Sequence, residues 1–336
     1  MKYAICLLGI FAFCINAHAG KLRVIATFPD LQWAAEQIGK DEITVEALGQ
    51  GNQDPHHVDA KPSFMLKLNK ADIFIQNGME QEIGWVPPLL EGARNAKILK
   101  GSPGFIDVSK GIPAKEVPVT LDRSLGDVHP GGNPHFLIDP GCMLVVFDNI
   151  CEGFENNRPE KQEYFRNNLS VSKKALLARI VGEALVTALG TDEAQRFLMS
   201  GDLERSLNEN TLPAPLGGWL LKARPLKGTK IICYHQSWKY FTDRFGLNIV
   251  GYLEPKPGIP PSPAHLLQVK NRIIGEKIPL IITDTYNSPK TGEKLEELTG
   301  ARALWLPNLV RGAAHIKTYD ELIENNLNEM LKALSK

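Results

Sequence analysis

Short apolar runs that alternate with helical patterns constrain the fold of this 336-residue chain more than any other feature. Such runs are typical of buried strands, and their alternation with helices indicates parallel βαβ units. Four strands are expected in each half of the chain, and their predicted ranges are 22–27, 43–48, 72–76, 96–99, 230–234, 247–252, 280–283 and 303–306. The pattern predicts an α/β protein with two similar lobes, each built on a four-stranded, mainly parallel sheet.

The longest helical pattern lies between the two sets of strands. It starts near Asn157 and runs to about Leu189, where Gly190 is placed to end it. About 30 residues would form a rod of ~45 Å, which suits a bridge between two lobes. We therefore expect an N-terminal lobe at 20–157, a linking backbone helix at 158–190 and a C-terminal lobe at 191–336.

The N-terminus has the features of a cleavable signal peptide over residues 1–19. Lys2 precedes an apolar stretch, and Ala17-His18-Ala19 is a small-x-small cleavage pattern that leaves Gly20 first. Cys14 also follows the apolar stretch, but the bulky Phe13 beside it argues against a lipoprotein. We expect an exported, periplasmic protein without a membrane span.

Charge and cysteine content exclude several classes of protein. The 38 basic and 38 acidic residues balance, so no nucleic-acid partner is indicated. Cys142, Cys151 and Cys233 remain after signal cleavage, an odd number that excludes a full disulfide framework. Cys142 and Cys151 lie about 13 Å apart along one predicted helix, too far for a bridge, and we interpret both as small buried hydrophobes.

Three histidines and one aspartate follow predicted strands and are candidate metal ligands. His56 and His135 end two nearly identical phrases, Asp-Pro-His and Asn-Pro-His, while His235 and Asp284 end apolar runs in the second half. Ligands of open α/β sheets bind beyond the carboxyl ends of the strands. Three imidazoles and one carboxylate suit a tetrahedral divalent metal.

Each candidate also has an ordinary structural interpretation. His56 could be a solvent-exposed loop residue, and His57 could ligate in its place, although Pro55 fixes only the backbone entering His56. His235 could be a hydrogen-bonded core histidine, and Asp284 could cap the next helix. His129, in the polar loop at 109–134, could be a transient or outer ligand. A Cys233 thiolate on the side of His235 would favour zinc or copper, but a buried small residue is the simpler interpretation.

Motifs of common enzymes are missing from the sequence. It contains no His-Glu-x-x-His helix, no Gly-x-Ser-x-Gly elbow and no phosphate-binding Gly-x-x-x-x-Gly-Lys-Ser/Thr loop. Gly49-Gln50-Gly51 lacks the third glycine of a dinucleotide site. We therefore expect a protein that is not an enzyme.

Longer motifs give the chain a resemblance to a known family. They are Asp54-Pro55-His56, Lys61-Pro62-Ser63, Lys70-Ala71-Asp72, Asn77-Gly78, residues 133–140 (NPHFLIDP), residues 234–241 (YHQSWKYF) and residues 254–259 (EPKPGI). With these motifs the whole mature chain resembles the zinc- and manganese-specific solute-binding proteins of bacterial ABC importers, often called cluster A-I.

The resemblance implies two lobes joined by one rigid helix, with His56, His135, His235 and Asp284 holding a metal in the cleft between them. Manganese members of the family tend to have glutamate at the position of His235, so the resemblance favours Zn²⁺ as the transported ligand. The expected role is delivery of zinc to a membrane permease. We expect a monomer, with a periplasmic metallochaperone as a further candidate partner. The loop at 109–134 lacks the histidine-rich tract of some zinc members.

Other functions remain open at this point. A manganese or iron(II) carrier of the same family is the first alternative. A zinc hydrolase would have three true ligands, with Asp284 as a base and water on the metal. A metal-binding surface adhesin would need lasting anchorage, which a cleavable N-terminus does not give.

Overall fold

The computed structural model describes residues 20–118 and 129–335. The signal peptide prediction, over residues 1–19, lies outside these residues, as do residues 119–128 of the predicted loop. Within the described ranges, no helix has both the length and the apolar character that crossing a bilayer requires.

Two four-stranded parallel sheets form the centres of two lobes, as predicted. The strand order is β2-β1-β3-β4 in the first sheet and β6-β5-β7-β8 in the second, so both have the same connectivity. The strands are β1 Leu22–Ala26, β2 Ile43–Ala47, β3 Ile73–Gln76, β4 Phe105–Asp107, β5 Lys230–Cys233, β6 Asn248–Tyr252, β7 Leu280–Asp284 and β8 Arg302–Leu306.

Helices connect the strands and cover both sheets. Several begin where the sequence predicts: Ser262 caps one helix through the amide of His265, and Pro263 is its first residue. The helices are α1 Pro29–Gly39, α2 Pro62–Asn69, α3 Val86–Ala93, α4 Pro140–Asn157, α5 Gln162–Val181, α6 Glu183–Leu189, α7 Thr191–Met199, α8 Asp202–Glu209, α9 Gly218–Lys222, α10 Lys239–Phe245, α11 Pro263–Glu276, α12 Lys290–Thr299 and α13 Tyr319–Leu334.

The strand predicted at 96–99 is wrong. The Asn95 side chain accepts from the amide of Lys97 and starts a short 3₁₀ turn over Ala96–Ile98. Leu99 is 42% exposed, so this run contributes only Ile98 to the core. The fourth strand, β4, follows instead and pairs with β3 through Phe74 and Phe105.

The single helix predicted from 157 to 189 is also wrong. A 3₁₀ turn at Pro159–Lys161 precedes α5, and α5 ends at Gly182 rather than Gly190. Gly182 has a φ of 94°, and a Cβ there would lie 2.7 Å from the Cα of Gly217. Only glycine, which has no Cβ, allows the two backbones to approach so closely, and the chain changes direction at Gly182. The helix is therefore 20 residues long. Its length is about 30 Å. The domain boundaries stay a prediction.

One hydrophobic core extends through both lobes. It includes Ile25 and Phe74 of the first sheet, Phe147 of α4, and Ile231 and Ile282 of the second sheet. A smaller cluster fills the other face of the second sheet, because side chains alternate along a strand. The two lobes therefore share buried apolar surface.

Buried polar contacts also join the lobes. Arg244 of α10 donates two hydrogen bonds to Asp139, the residue before α4, at 2.7 and 3.1 Å. The Asp30 carboxylate accepts from the amide of Val310 at 3.0 Å. The Tyr319 hydroxyl donates to the carbonyl of Leu137 at 2.6 Å. Two of these contacts attach the second lobe to the segment that follows His135.

We predict that Y319F lowers the free energy of unfolding by about 1–3 kcal/mol, since it leaves the buried carbonyl of Leu137 without a partner. Equilibrium urea denaturation measures the change. Y164F is the matched control, because Tyr164 of α5 packs edge-on against Phe165 and its hydroxyl is not one of the interlobe contacts described above. Equal stability of Y319F and Y164F would show that the interlobe hydrogen bond contributes nothing.

Candidate metal centre

The four predicted ligands all lie at the carboxyl ends of strands. His56 follows β2, His135 follows β4, His235 follows β5, and Asp284 is the last residue of β7. Parallel strands bring such residues to one edge of each sheet. The two edges face each other, so that the first lobe contributes His56 and His135, and the second contributes His235 and Asp284.

His56, His135 and His235 meet in one group. One ring nitrogen of each lies within 4.8 Å of the other two. The Nε2 atoms of His56 and His135 are 3.2 Å apart, and the ring centroids of His135 and His235 are separated by 5.2 Å. This spacing allows three imidazoles from two lobes to contact one ion.

Asp284 is adjacent in the fold but is not a member of this group. Its Oδ1 accepts from the Ser237 hydroxyl at 2.7 Å and from the Trp238 indole at 2.9 Å. Its Oδ2 is buried and has no hydrogen-bond partner among the residues that the structure describes. An unpaired buried carboxylate oxygen is costly, so this atom is suited to a cation.

The two Asx-Pro-His phrases fold into the same turn. Asp54 Oδ1 accepts from the amide of His56, and Asn133 Oδ1 accepts from the amide of His135, both at 2.9 Å. In both turns a side chain from another part of the first lobe donates a hydrogen bond to the proline carbonyl. Trp85 donates to Pro55 at 3.1 Å, and Asn77 donates to Pro134 at 3.0 Å. A side-chain acceptor two residues earlier and an anchored proline thus orient each imidazole.

The His135 and His235 rings also have side-chain partners. Glu254 Oε2 lies 2.7 Å from Nδ1 of His235, which places the proton on Nδ1 and leaves Nε2 available. Gln81 Nε2 lies 3.3 Å from Nδ1 of His135. If Nε2 of His135 binds a metal, the ring proton must be on Nδ1. The Gln81 amide must then be flipped by 180°, so that its oxygen accepts the hydrogen bond from Nδ1.

A buried carboxylate supports the first-lobe side of the site. Glu82 accepts from the Thr27 hydroxyl and from the amides of Asn77 and Gly78. Burial raises its pKa to about 7 despite these hydrogen bonds. Glu82 fixes the turn that carries Asn77, and Asn77 in turn holds Pro134.

The electrostatics keep two of the imidazoles neutral. Burial lowers the pKa of His56 and of His135 well below the usual value, and the neighbouring histidines lower both further. Neutral imidazole is the form that binds a metal.

The pKa values of His235 and Asp284 are raised instead of lowered. Burial opposes the charged form of His235, but the hydrogen bond and charge of Glu254, with Asp284, raise its pKa overall. Burial raises the pKa of Asp284 to about 6, although Ser237 and His235 oppose the shift.

The other histidines near the site do not join the group. The His129 ring stacks on His56 with centroids 5.0 Å apart, and it lines a cavity of about 310 Å³ beside His135 and His235. His57 is exposed, with its ring centroid 6.5 Å from that of His56. The turn hydrogen bond from the amide of His56 to Asp54 orients His56.

The cysteines do not belong to the site. Cys142, Cys151 and Cys233 are buried free thiols, which confirms the absence of a bridge between the first two. Burial raises the pKa of Cys233 well above its usual value, and the charge of Asp284 raises it further. A neutral buried thiol is a poor ligand.

Sequence reasoning assigned no role to Gln81, Glu82, Ser237, Trp238 or Glu254. One signal could have identified Glu254: it follows the end of β6 by two residues, as His235 follows the end of β5. These neighbouring parallel strands end at the same edge, which brings the two side chains together.

Two relatives are similar over nearly the whole chain. The iron-binding protein YfeA of Yersinia pestis is 22% identical over 325 residues, which cover 95% of this chain and 88% of that protein. The high-affinity zinc uptake system protein ZnuA of Bacillus subtilis is 22% identical over 328 residues, covering 95% and 89%. Their names specify different metals.

Solved structures share the fold. The solute-binding protein FpvC of Pseudomonas aeruginosa, in complex with Mn²⁺, superimposes with a TM-score of 0.68 at 17% identity, over 94% of this chain and 99% of that chain. The model of the family described as ZnuA, zinc-uptake complex component A, periplasmic, matches residues 24–180 and 220–333. The chain therefore belongs to the ZnuA family of metal-binding solute-binding proteins, which serve ABC importers.

Proposed function

We propose that this chain is the zinc-binding component of an ABC importer, which captures Zn²⁺ outside the inner membrane and delivers it to a membrane permease. The observation that carries the proposal is the convergence of three imidazoles from two lobes, with one ring nitrogen of each within 4.8 Å of the others. Histidines that only faced the solvent would not be expected to bring their ring nitrogens to one point.

Asp284 is our proposed fourth ligand. Ser237 and Trp238 hold one of its oxygens, while the other is buried and meets no hydrogen-bonding group in the described part of the chain. Because Asp284 is outside the histidine group, we expect its side chain to move toward the three histidines when metal binds. Three nitrogens and one oxygen then complete a tetrahedral shell.

The donor set supports zinc over the alternatives. Imidazole suits zinc, whereas manganese prefers carboxylate and carbonyl oxygens. Iron(II) and manganese remain the alternative cargoes, since one relative is named an iron-binding protein and a solved structure with the same fold is a complex with Mn²⁺. A filled four-ligand shell leaves no position for a reactive water, which supports holding rather than hydrolysis. The surface adhesin alternative has no feature of the described residues in its favour.

We predict about one equivalent of zinc in protein exported from a native-like host, measured by elemental analysis. In H235E/E254Q, we expect the zinc to be lost or replaced by manganese, because a carboxylate takes the place of an imidazole. E254Q is included so that the new carboxylate does not face the Glu254 carboxylate.

H315E is the matched control, since His315 is exposed and bonded to Asn325 away from the site. It should retain one zinc. If the double variant retains zinc as firmly as H315E does, His235 is not a ligand.

We predict weaker zinc binding at pH 5.5 than at pH 7.5. Asp284, whose pKa is about 6, takes up a proton as the pH falls through this range, and His235, whose pKa is raised, holds its proton more firmly than an ordinary histidine. Each proton that zinc must displace weakens affinity by about tenfold per pH unit. Titration against a chelator-buffered zinc series checks this, with free zinc corrected at each pH.

The single variant E254Q tests whether the proton on His235 contributes to the weaker zinc binding at low pH. Without Glu254 the pKa of His235 falls, so the loss of affinity should move to lower pH. Equal affinities of the unmodified protein at pH 5.5 and 7.5 contradict the prediction.

We predict that D284N weakens zinc binding by more than the ~100-fold that removal of an outer partner costs. The amide keeps an acceptor for Ser237 and Trp238, so the fold should be preserved, but it is a poor zinc ligand. S237A is the control, because it removes one neighbour of Oδ1 and leaves the carboxylate. Unchanged affinity in D284N means that three histidines bind the ion without Asp284.

A further inference from the structure

We propose that Asn133 is a positioning residue that joins the two lobes beside the metal site and slows metal release. The inference rests on the proposed function and adds a residue outside the four proposed ligands.

The Asn133 side chain is buried and all of its polar groups are used. Its oxygen accepts from the amide of His135 at 2.9 Å, which forms the turn described above. Its Nδ2 donates to the carbonyl of Gln236 at 2.8 Å and to Glu116 Oε2 at 2.7 Å. Gln236 directly follows His235. One amide thus connects the backbone at a first-lobe ligand to the backbone at a second-lobe ligand.

Comparison of the two Asx-Pro-His turns separates these roles. Asp54 forms the turn at His56 with a carboxylate oxygen alone. An oxygen acceptor is therefore sufficient to orient the histidine. The additional donor group of Asn133 is used only in the bonds to Glu116 and to the second lobe.

Neighbouring contacts strengthen this connection. Residues 113–116, here called the strap, belong to the first lobe and lie against α10 and β6. The amide of Lys115 donates to the Tyr240 hydroxyl at 3.1 Å, and its ammonium pairs with Asp243 at 2.6 Å. The Tyr252 hydroxyl donates to Glu116 Oε1 at 3.3 Å. Asn133 therefore binds both the strap and Gln236.

The hydrogen bonds between the lobes should affect the rate at which the metal ion is released. An ion shared between lobes can leave only when ligands on one side separate from those on the other. Hydrogen bonds that join the lobes beside His135 and His235 oppose this separation, and loss of a buried hydrogen bond acts mainly on dissociation. Removing the Asn133 donor should speed metal release and leave the ligands in place.

The test uses N133S, because serine can accept from the amide of His135 but is too short to reach Gln236. The full mature chain is loaded with one equivalent of zinc and mixed rapidly with excess chromophoric chelator. We expect release to be about tenfold faster than in the unmodified protein.

The matched control is N149S. Asn149 also donates two hydrogen bonds from Nδ2, to the carbonyls of Val108 and Lys110 at 2.9 and 2.8 Å, but both acceptors are in the first lobe. A purely structural role would give N133S and N149S similar release rates and similar losses of thermal stability. We expect only N133S to release zinc faster.

A second pair of variants decides the question if N133S does not fold. Glu116 is exposed, so its substitution removes no side chain from the hydrophobic core. E116A removes the acceptor for both Asn133 and Tyr252, while E116Q removes the charge and keeps an acceptor oxygen. We expect release from E116A to be about threefold faster than from E116Q.

The outcomes separate the two proposals. If the unmodified protein takes up no zinc, the proposed function fails and the inference fails with it. If it binds zinc but N133S releases it within twofold of the N149S rate, the inference alone is overturned. Equal rates for E116A and E116Q overturn it in the same way.

Discussion

The arrangement of the site depends on one constraint: all strands of a parallel sheet end at the same edge. Each lobe therefore presents its carboxyl-terminal loops together, and the two lobes turn these edges toward each other. Residues far apart in sequence, such as His56 and His235, meet without any local motif. The Asx-Pro-His turns then orient the side chains that the sheets have brought near.

This constraint explains how much could be predicted from the sequence. Buried strands such as β5 and β7 are visible as continuous apolar runs, so seven of the eight were located within one or two residues. His56 and His135 could be selected because each ends an Asx-Pro-His phrase, and His235 because it ends an apolar run. Asp284 follows one too, yet its place relative to the histidine group depends on side-chain positions that sequence does not specify.

The errors have physical causes that are not local. Residues 96–99 are apolar enough for a strand, but Asn95 bonds to Leu68 and Ala71 and directs the chain into a 3₁₀ turn. The helix pattern continues past Gly182, but this residue has a φ of 94° and lies so close to the backbone of Gly217 that a Cβ would not fit. Glu254 and Gln81 were overlooked for a similar reason, since their roles depend on neighbouring strands and loops rather than on adjacent residues.

The shared hydrophobic core has a consequence for the meaning of a lobe in this protein. Phe147 and Ile150 of α4 belong to the same cluster as Ile231 of β5 and Tyr319 of α13. A fragment cut before α5 would expose apolar side chains that are now covered by the rest of the chain. The lobes are thus geometric units built around one shared core.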